Sequence, residues 1–227
     1  MLLTLKNISK SYFNQLGNVQ RQILNGLDLS VEKSDSIAIV GSSGSGKTTI
    51  LNLIGKLDLP DSGELLFNGK DLNALSKKET LAYRNRSIGF VFQQHFLLPQ
   101  CSLWENVLIP ALPNKSMMKE AEGRAEELLR QLGLWELRHQ KPGELSIGEC
   151  QRTALVRAVI NKPVLLLADE PTGSLDESNA NQLADLLLEL NKTESTTLIV
   201  VTHSLSIAKK MGKIYELKKG KLESWLT

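Results

Sequence analysis

Short apolar runs recur along this chain and alternate with longer segments in which apolar residues return at helical spacing. The runs that predict strands occupy residues 37–40, 87–92, 164–168 and 197–201. The last two runs are almost uniformly apolar, which predicts strands buried on both faces, as in a mainly parallel sheet. Helical periodicity fills residues 119–132 and 179–190. The pattern predicts an α/β fold with a mainly parallel sheet.

Three parts of the chain depart from this alternation. Alternating apolar and polar residues at 3–8 and 27–31 predict an antiparallel sheet at the N-terminus. Four prolines between residues 94 and 144 predict a mostly helical insertion, ending by about residue 150; they are Pro99, Pro110, Pro113 and Pro142. Apolar residues on either side of the basic turn at 218–221 predict a closing hairpin. The whole chain, 1–227, is predicted to be one domain with this insertion.

Composition narrows the class of protein. A length of 227 residues with 41% hydrophobic and 23% charged residues suits one α/β domain with a sizeable core. The net charge of +2 gives no reason to expect a nucleic-acid partner. Two cysteines, Cys101 and Cys150, indicate neither a disulfide framework nor a metal cluster, and a reducing compartment is expected. We find no secretory signal and no apolar stretch of about 18 residues, so a membrane process would need another chain.

The strongest motif lies directly after the first predicted buried strand. Residues 41–48 read Gly-Ser-Ser-Gly-Ser-Gly-Lys-Thr and continue into a predicted helix at 48–54. Strand, glycine turn and helix are the context of a phosphate-binding P-loop, in which backbone N–H groups and a helix N-terminus surround an anion. Lys47 would then reach the β- and γ-phosphates, and the Thr48 hydroxyl would bind Mg²⁺. The alternative is a glycine- and serine-rich surface loop.

Polar residues end three other predicted strands. Asp169 and Glu170 follow an apolar strand, an arrangement that directs carboxylates into the crevice at the carboxyl edge of a parallel sheet. There an aspartate can hold Mg²⁺ and a glutamate can activate water. His203 follows the strand at 197–201, where a structural and a functional role are both open. Gln93 ends the strand at 87–92 and is a weaker candidate for Mg²⁺ or water.

Taken in order, these motifs resemble the ATP-binding subunit of ABC transporters over nearly the whole chain. The resemblance assigns ATP contacts to the P-loop residues Gly41, Ser42, Ser43, Gly44, Ser45, Gly46, Lys47, Thr48 and Thr49. It implies that Tyr12 stacks on adenine and that Asp176 belongs to the D-loop. It also implies that Glu170 is the catalytic base, that His203 is the switch histidine and that Gln93 is the Q-loop residue. Asp169, Thr48 and Gln93 would hold Mg²⁺.

The signature of that family is normally Leu-Ser-Gly-Gly-Gln, and residues 145–149 read Leu-Ser-Ile-Gly-Glu. The resemblance implies that two ATPase subunits sandwich two ATP molecules, so that Ser146, Gly148 and Glu149 contact ATP held by the P-loop of the other subunit. Ile147 replaces the first glycine. A β-branched residue disfavours positive φ, so trans binding of ATP would weaken if both glycines were needed. Cys150 is interpreted as a small buried residue rather than a redox switch.

Further stretches resemble the ATPases of lipoprotein release and of MacB-type or antimicrobial-peptide export. They are residues 88–93 with 97–99, residues 104–107 with Pro110, and residues 168–176. The resemblance implies a peripheral protein on the cytoplasmic face of the inner membrane. It would bind integral membrane permease subunits through a groove between the Q-loop and the helical insertion. Since the sequence contains no predicted span, a separate ATPase subunit for lipoprotein release fits better than a MacB-type fusion. A non-transport ABC ATPase, or an ATP-binding regulator with weak turnover, is the alternative of another class.

Overall fold

The computed structural model describes residues 1–13 and 19–225. Its strands are β1 (Leu3–Phe13), β2 (Val19–Val31), β3 (Ser36–Val40), β4 (Ser62–Phe67), β5 (Lys70–Asp71), β6 (Ile88–Val91), β7 (Leu165–Asp169), β8 (Thr197–Val201), β9 (Lys213–Lys218) and β10 (Lys221–Ser224). Its α-helices are α1 (Lys47–Ile54), α2 (Lys77–Arg86), α3 (Leu103–Leu108), α4 (Met118–Gln131), α5 (Ile147–Val159), α6 (Glu177–Glu194) and α7 (Leu205–Ala208). Short 3₁₀ turns follow β5, α3 and α4 and precede α4 and α5.

The larger sheet explains why the predicted buried runs are apolar. Its order within the described residues is β10-β9-β3-β8-β7-β6, and every neighbouring pair except the β9–β10 hairpin is parallel. Alternate residues of the central strands enter two different cores: Ile39, Leu167 and Ile199 face one side, and Ala38 and Leu166 face the other. Both faces are therefore covered, as a mainly parallel sheet requires. This confirms the predicted α/β class and the C-terminal hairpin.

A second, antiparallel sheet of order β2-β1-β4-β5 packs against one of those cores. Residues Leu3, Leu5, Leu29 and Val31 bury their side chains there. The N-terminal antiparallel part was predicted, but only as short pieces before the P-loop. The sheet in fact also takes β4 and β5, which follow α1 in sequence.

The elements between β6 and β7 are helical, although those two strands are parallel neighbours in the sheet. Helices α3, α4 and α5 pack together through Leu103, Val107, Leu129 and Leu155. The predicted helical segment thus leaves the sheet after one strand and returns to the adjacent one. The chain boundaries given for it, and for the domain as a whole, stay predictions. No helix in the described part of the chain is long and apolar enough to cross a membrane.

Candidate nucleotide site

The turn between β3 and α1 depends on two glycines. Gly44 and Gly46 have φ values of 72° and 111°, in the left-handed region that side chains disfavour. A Cβ at Gly46 would also collide with the side chain of Ile23. Gly46 caps the N-terminus of α1, whose first-turn N–H groups have no acceptor within the helix. The loop therefore presents backbone donors and a helix N-terminus at one edge of the sheet.

Lys47 is the cation of this loop, and it is only 7% exposed. Its Nζ donates to the carbonyl oxygens of Gly41 at 2.9 Å and Ser42 at 3.1 Å. The same Nζ lies 3.8 Å from Oε1 of Glu170. The ammonium is therefore held inside the loop and beside the carboxylate of Glu170, which directly follows β7.

Asp169 ends β7 and meets the first turn of α1. The Thr48 hydroxyl donates to Oδ1 of Asp169 at 3.1 Å. Burial raises the pKa of Asp169, and repulsion from Glu170 adds to the rise, whereas the Thr48 hydrogen bond and the Lys47 charge oppose it. The hydroxyl and carboxylate oxygens form a donor set that suits Mg²⁺, which takes few protein ligands when a phosphate supplies others. Among the described residues no cluster of three or more acids, histidines or cysteines offers another metal site.

Glu170 and His203 are brought together over the end of β8. Nδ1 of His203 lies 2.9 Å from Oε2 of Glu170, and the backbone N–H of His203 donates to the same oxygen at 3.2 Å. Glu170 has a φ of 45°, a conformation that costs energy for a residue with a side chain. Its N–H donates to the carbonyl of Val201 at 2.9 Å, which holds the strained residue against β8.

Tyr12 reaches the same helix from the antiparallel sheet. Its hydroxyl lies 3.5 Å from Oγ1 of Thr49, and the residue is 41% exposed. Gln93 is exposed at the end of β6, with its amide beside Gly173, three residues after Glu170. Gln151 of α5 was not among the predicted site residues; it is fully buried and donates to the carbonyl of Phe92 at 2.9 Å. A glutamine next to the signature was the only sequence signal for this contact between α5 and the Gln93 segment.

The signature residues lie at the N-terminus of α5 and hydrogen-bond to one another. The N–H and hydroxyl of Ser146 both donate to Oε2 of Glu149, at 2.7 and 2.8 Å, and the N–H of Glu149 donates back to Oγ at 3.3 Å. These bonds from the Ser146 backbone and side chain hold the pKa of Glu149 below its usual range. The pair forms a capping box that fixes the start of the helix.

Asp176 caps α6 in a similar way, accepting from the N–H of Asn179 at 2.9 Å and from its side-chain amide at 2.6 Å. Asn179 is also adjacent to the signature, since a Cβ built on Gly148 would lie 3.6 Å from its Oδ1. Asp176 and the signature residues therefore form a second group, the signature cluster. The first group, the P-loop cluster, consists of Lys47, Thr48, Asp169, Glu170 and His203. In the described part of the chain, no hydrogen bond or ion pair joins the signature residues Ser146, Gly148 and Glu149 to the P-loop cluster.

The expectation that Ile147 would conflict with a positive φ at this position of the signature is wrong. Ile147 is the first residue of α5 and does not have a positive φ, and neither does Gly148. The Ile147 side chain is 58% exposed at the tip of the helix. The substitution is thus compatible with the local fold, and only its effect on an approaching phosphate stays a prediction. Cys150 is buried with a free thiol whose pKa burial raises, as expected of a packing residue.

Comparisons with known proteins agree with this geometry. A family model described as ABC transporter matches residues 24–173. The chain is 45% identical over 221 residues to the lipoprotein-releasing system ATP-binding protein LolD of Syntrophus aciditrophicus (strain SB), which covers 97% of this chain and 98% of that protein.

Solved structures show the same likeness. The dimeric structure of MJ0796, a bacterial ABC transporter cassette, matches with a TM-score of 0.86 at 35% identity and covers 98% of this chain and 97% of that one. A dimeric post-hydrolysis state of the same cassette, bound to ADP and Pi, matches equally well. CbiO1 from Clostridium perfringens, part of the ABC transporter complex cbiONQ, matches with a TM-score of 0.84 at 26% identity, over 98% of this chain and 86% of that one.

The raised pKa of Asp169 predicts that its charge destabilises the empty site. A raised folded-state pKa means that ionisation opposes folding at neutral pH, and that this penalty disappears below the unfolded-state pKa of about 4. Asp169→Asn should therefore raise the melting temperature, measured by calorimetry without nucleotide or Mg²⁺, at about pH 7.5, and the gain should shrink as the pH falls towards about 4. Asp185→Asn, at an exposed acid paired with Lys210, is the control and should give no such gain. An unchanged or lower melting temperature for Asp169→Asn at neutral pH would contradict the argument.

Proposed function

Because the chain belongs to the ABC transporter family, as an ATP-hydrolysing subunit, we propose that it drives the release of lipoproteins from a membrane together with separate membrane subunits. The main structural support for ATP hydrolysis is that Lys47, Asp169 and Glu170 lie close together at one edge of the sheet. The cargo is proposed from the identity of 45% with the lipoprotein-releasing LolD protein over nearly the whole chain.

The residues of the P-loop cluster divide the chemistry of hydrolysis. The N–H groups at the start of α1 and the ammonium of Lys47 bind the phosphates, because they concentrate positive charge where the turn exposes them. Thr48 and Asp169 would hold Mg²⁺, which neutralises charge on the phosphates when it is bound. Gln93 would contribute its amide to the metal or to the attacking water.

Glu170 is the proposed general base. Its carboxylate accepts a proton from the attacking water, while contacts with His203 and the ammonium of Lys47 hold it in position. The strained backbone of Glu170 is consistent with this assignment, because such strain concentrates at functional sites. Tyr12 is proposed to stack on the base, and Thr49 is proposed to bind a phosphate.

A second copy of the chain completes the site in this proposal. The signature cluster presents Ser146 and the N-terminus of α5, a feature that suits an anion, yet it makes no hydrogen bond to the P-loop of its own chain among the described residues. A head-to-tail pair would bring each signature to the ATP of the other copy. The dimeric cassette structures of MJ0796 support the pairing of two copies. Glu149 and Asp176 then act at the interface between the copies.

The membrane subunits are proposed to bind in a cleft of about 690 Å³ whose lining includes Phe92, the residue before Gln93. Its apolar lining includes Leu57, Leu81, Phe90, Phe92, Ile109 and Pro110. Leu81 is 66% exposed, and Arg84 and Arg86 stand at the rim. The expected occupant is a short amphipathic segment of a permease subunit that carries apolar and acidic residues. Because ATP is a cytosolic substrate, the chain would work on the cytoplasmic face of the inner membrane.

Replacing the general base should trap the paired state. Glu170→Gln keeps the phosphate ligands but cannot accept a proton from water, so ATP hydrolysis should fall by about a hundredfold or more while binding persists. Sedimentation with ATP and Mg²⁺ should then show a dimer, and sedimentation without ATP should show a smaller dimer fraction. Glu189→Gln, at an exposed position further along α6, is the control and should keep wild-type turnover. A Glu170→Gln protein that stays monomeric with saturating ATP would contradict the shared site.

The cleft and the cargo are tested together in liposomes that contain the membrane subunits and a labelled lipoprotein. Leu81→Glu places an acid on the apolar cleft, so it should lower ATP-dependent release by about tenfold or more while leaving the hydrolysis of the isolated chain unchanged. Val164→Glu alters an apolar residue that is 40% exposed outside the cleft and should release normally. Equal release by both variants would contradict the docking site. Hydrolysis without any lipoprotein release would contradict the proposed cargo.

A further inference from the structure

The loop that follows α1 carries a carboxylate in a fixed position. The N–H groups of Leu57 and Asp58 both donate to the carbonyl of Asn52, at 2.8 and 3.2 Å, so the loop turns back on the helix. Oδ1 of Asp58 accepts from the N–H of Leu59 at 2.7 Å. The position of the Asp58 side chain is therefore set by the C-terminal end of the helix that begins in the P-loop.

A buried lysine on β1 meets this carboxylate. Lys10 is 9% exposed, and its Nζ donates to Oδ1 of Asp58 at 2.8 Å and to the carbonyl of Leu59 at 2.7 Å. Oδ1 of Asp61 lies 3.9 Å from the same nitrogen, and the carboxylate of Asp61 also accepts from the N–H of Ser11 at 2.6 Å. The ammonium of Lys10 therefore joins β1 to the loop after α1, through the carboxylates of Asp58 and Asp61 and the carbonyl of Leu59.

Tyr12 stands two residues beyond Lys10 on the same strand. Its hydroxyl donates to Oδ2 of Asp58 at 3.3 Å, and Nζ of Lys10 lies 5.5 Å from the centre of its ring, within range of a cation–π contact. Burial works against ionisation of Asp58, but the hydrogen bonds from Lys10 and Leu59 outweigh it and hold its pKa below the usual range. Since an ionised carboxylate can only accept, the tyrosine hydroxyl has to be the donor.

We propose that Lys10 and Asp58 are positioning residues that fix the Tyr12 ring as the platform for adenine. This rests on the proposed function of Tyr12. The hydroxyl of Tyr12 also lies 3.5 Å from Thr49 in the first turn of α1. One helix therefore aligns both ends of the nucleotide: its N-terminus receives the phosphates, and the loop at its other end fixes the ring that receives the base. Among the described residues, neither Lys10 nor Asp58 has a hydrogen bond or an ion pair with the phosphate-binding turn.

The test separates effects on the binding of the adenine base from effects on the binding of the phosphates. For wild type, Asp58→Ala and Lys10→Met, the KM and kcat of ATP hydrolysis are measured beside competitive inhibition by tripolyphosphate, which has no base. The KM for ATP should rise about three- to tenfold, because a ring that is no longer preorganised must be ordered on binding. The kcat and the inhibition constant of tripolyphosphate should stay within about twofold, because Lys47 and the P-loop are unchanged.

Two further variants make the outcome decisive. Tyr12→Phe keeps the ring but removes the donor to Asp58, so it should raise the KM for ATP by about two- to threefold with kcat unchanged. Lys6→Met lies on the same strand and breaks an exposed ion pair with Glu64, so its kinetics should match wild type. If Lys10→Met fails to fold by calorimetry, Asp58→Ala and Tyr12→Phe still decide.

An unchanged KM in Asp58→Ala and Tyr12→Phe would overturn the positioning role. A loss of ATP and tripolyphosphate affinity in equal measure would also overturn it, because the loop would then support the P-loop rather than the ring. Wild-type protein that neither hydrolyses ATP nor binds tripolyphosphate in calorimetry would instead refute the proposed nucleotide chemistry, which is a separate failure.

Discussion

The buried ammonium of Lys47 is the group on which the rest of the site depends. A lysine that is 7% exposed needs acceptors, and the loop supplies the carbonyl oxygens of Gly41 and Ser42. Turning the loop around this group requires glycine at the left-handed positions of Gly44 and Gly46. The ammonium in turn lies beside the carboxylate of Glu170, so the phosphate-binding loop and the ends of β7 and β8 become one charged cluster.

Two residues of this cluster lower the stability of the folded protein when no ligand is bound. Asp169 is kept in a setting that raises its pKa, and Glu170 adopts a backbone conformation that residues with side chains avoid. The neighbouring buried strands impose these positions, because β7 pairs with β6 on one side and with β8 on the other, and the N–H of Glu170 donates to Val201 of β8. Such local cost is typical of a site whose charges are arranged for a ligand and its reaction rather than for the empty protein.

The sequence predicted the elements whose burial is complete and missed those whose contacts are mostly polar. Helix α2 buries only Tyr83 among its residues, so it has no apolar stripe that periodicity could detect. The strands β1 and β2 are longer than predicted, because residues 9–11 and 20–22 are polar and interrupt the alternating pattern from which the two strands were predicted. The P-loop and the acids Asp169 and Glu170 were predicted, because in both cases the polar residues come at the end of a strand that the apolar pattern also predicts.

Long-range polar contacts could not be predicted from one sequence. Lys10 and Asp58 are 48 residues apart, and Gln151 meets Phe92 across 59 residues. Nothing in the local pattern of either pair indicates its partner. The conformation of Ile147 was also beyond the sequence, because the family pattern suggested a need for glycine, whereas the residue begins an ordinary helix.

Among the residues that the structure describes, the P-loop cluster and the signature cluster of one chain do not hydrogen-bond to each other, and this is why a second copy is central to this account. The most direct test is the rate of ATP hydrolysis per chain, measured for the wild-type protein at saturating ATP and Mg²⁺ over a wide range of protein concentration. A site shared between two copies predicts that the rate per chain rises with concentration and then levels off as pairs form. A measurable rate per chain that stays constant down to the lowest concentrations at which the protein is monomeric would contradict the account.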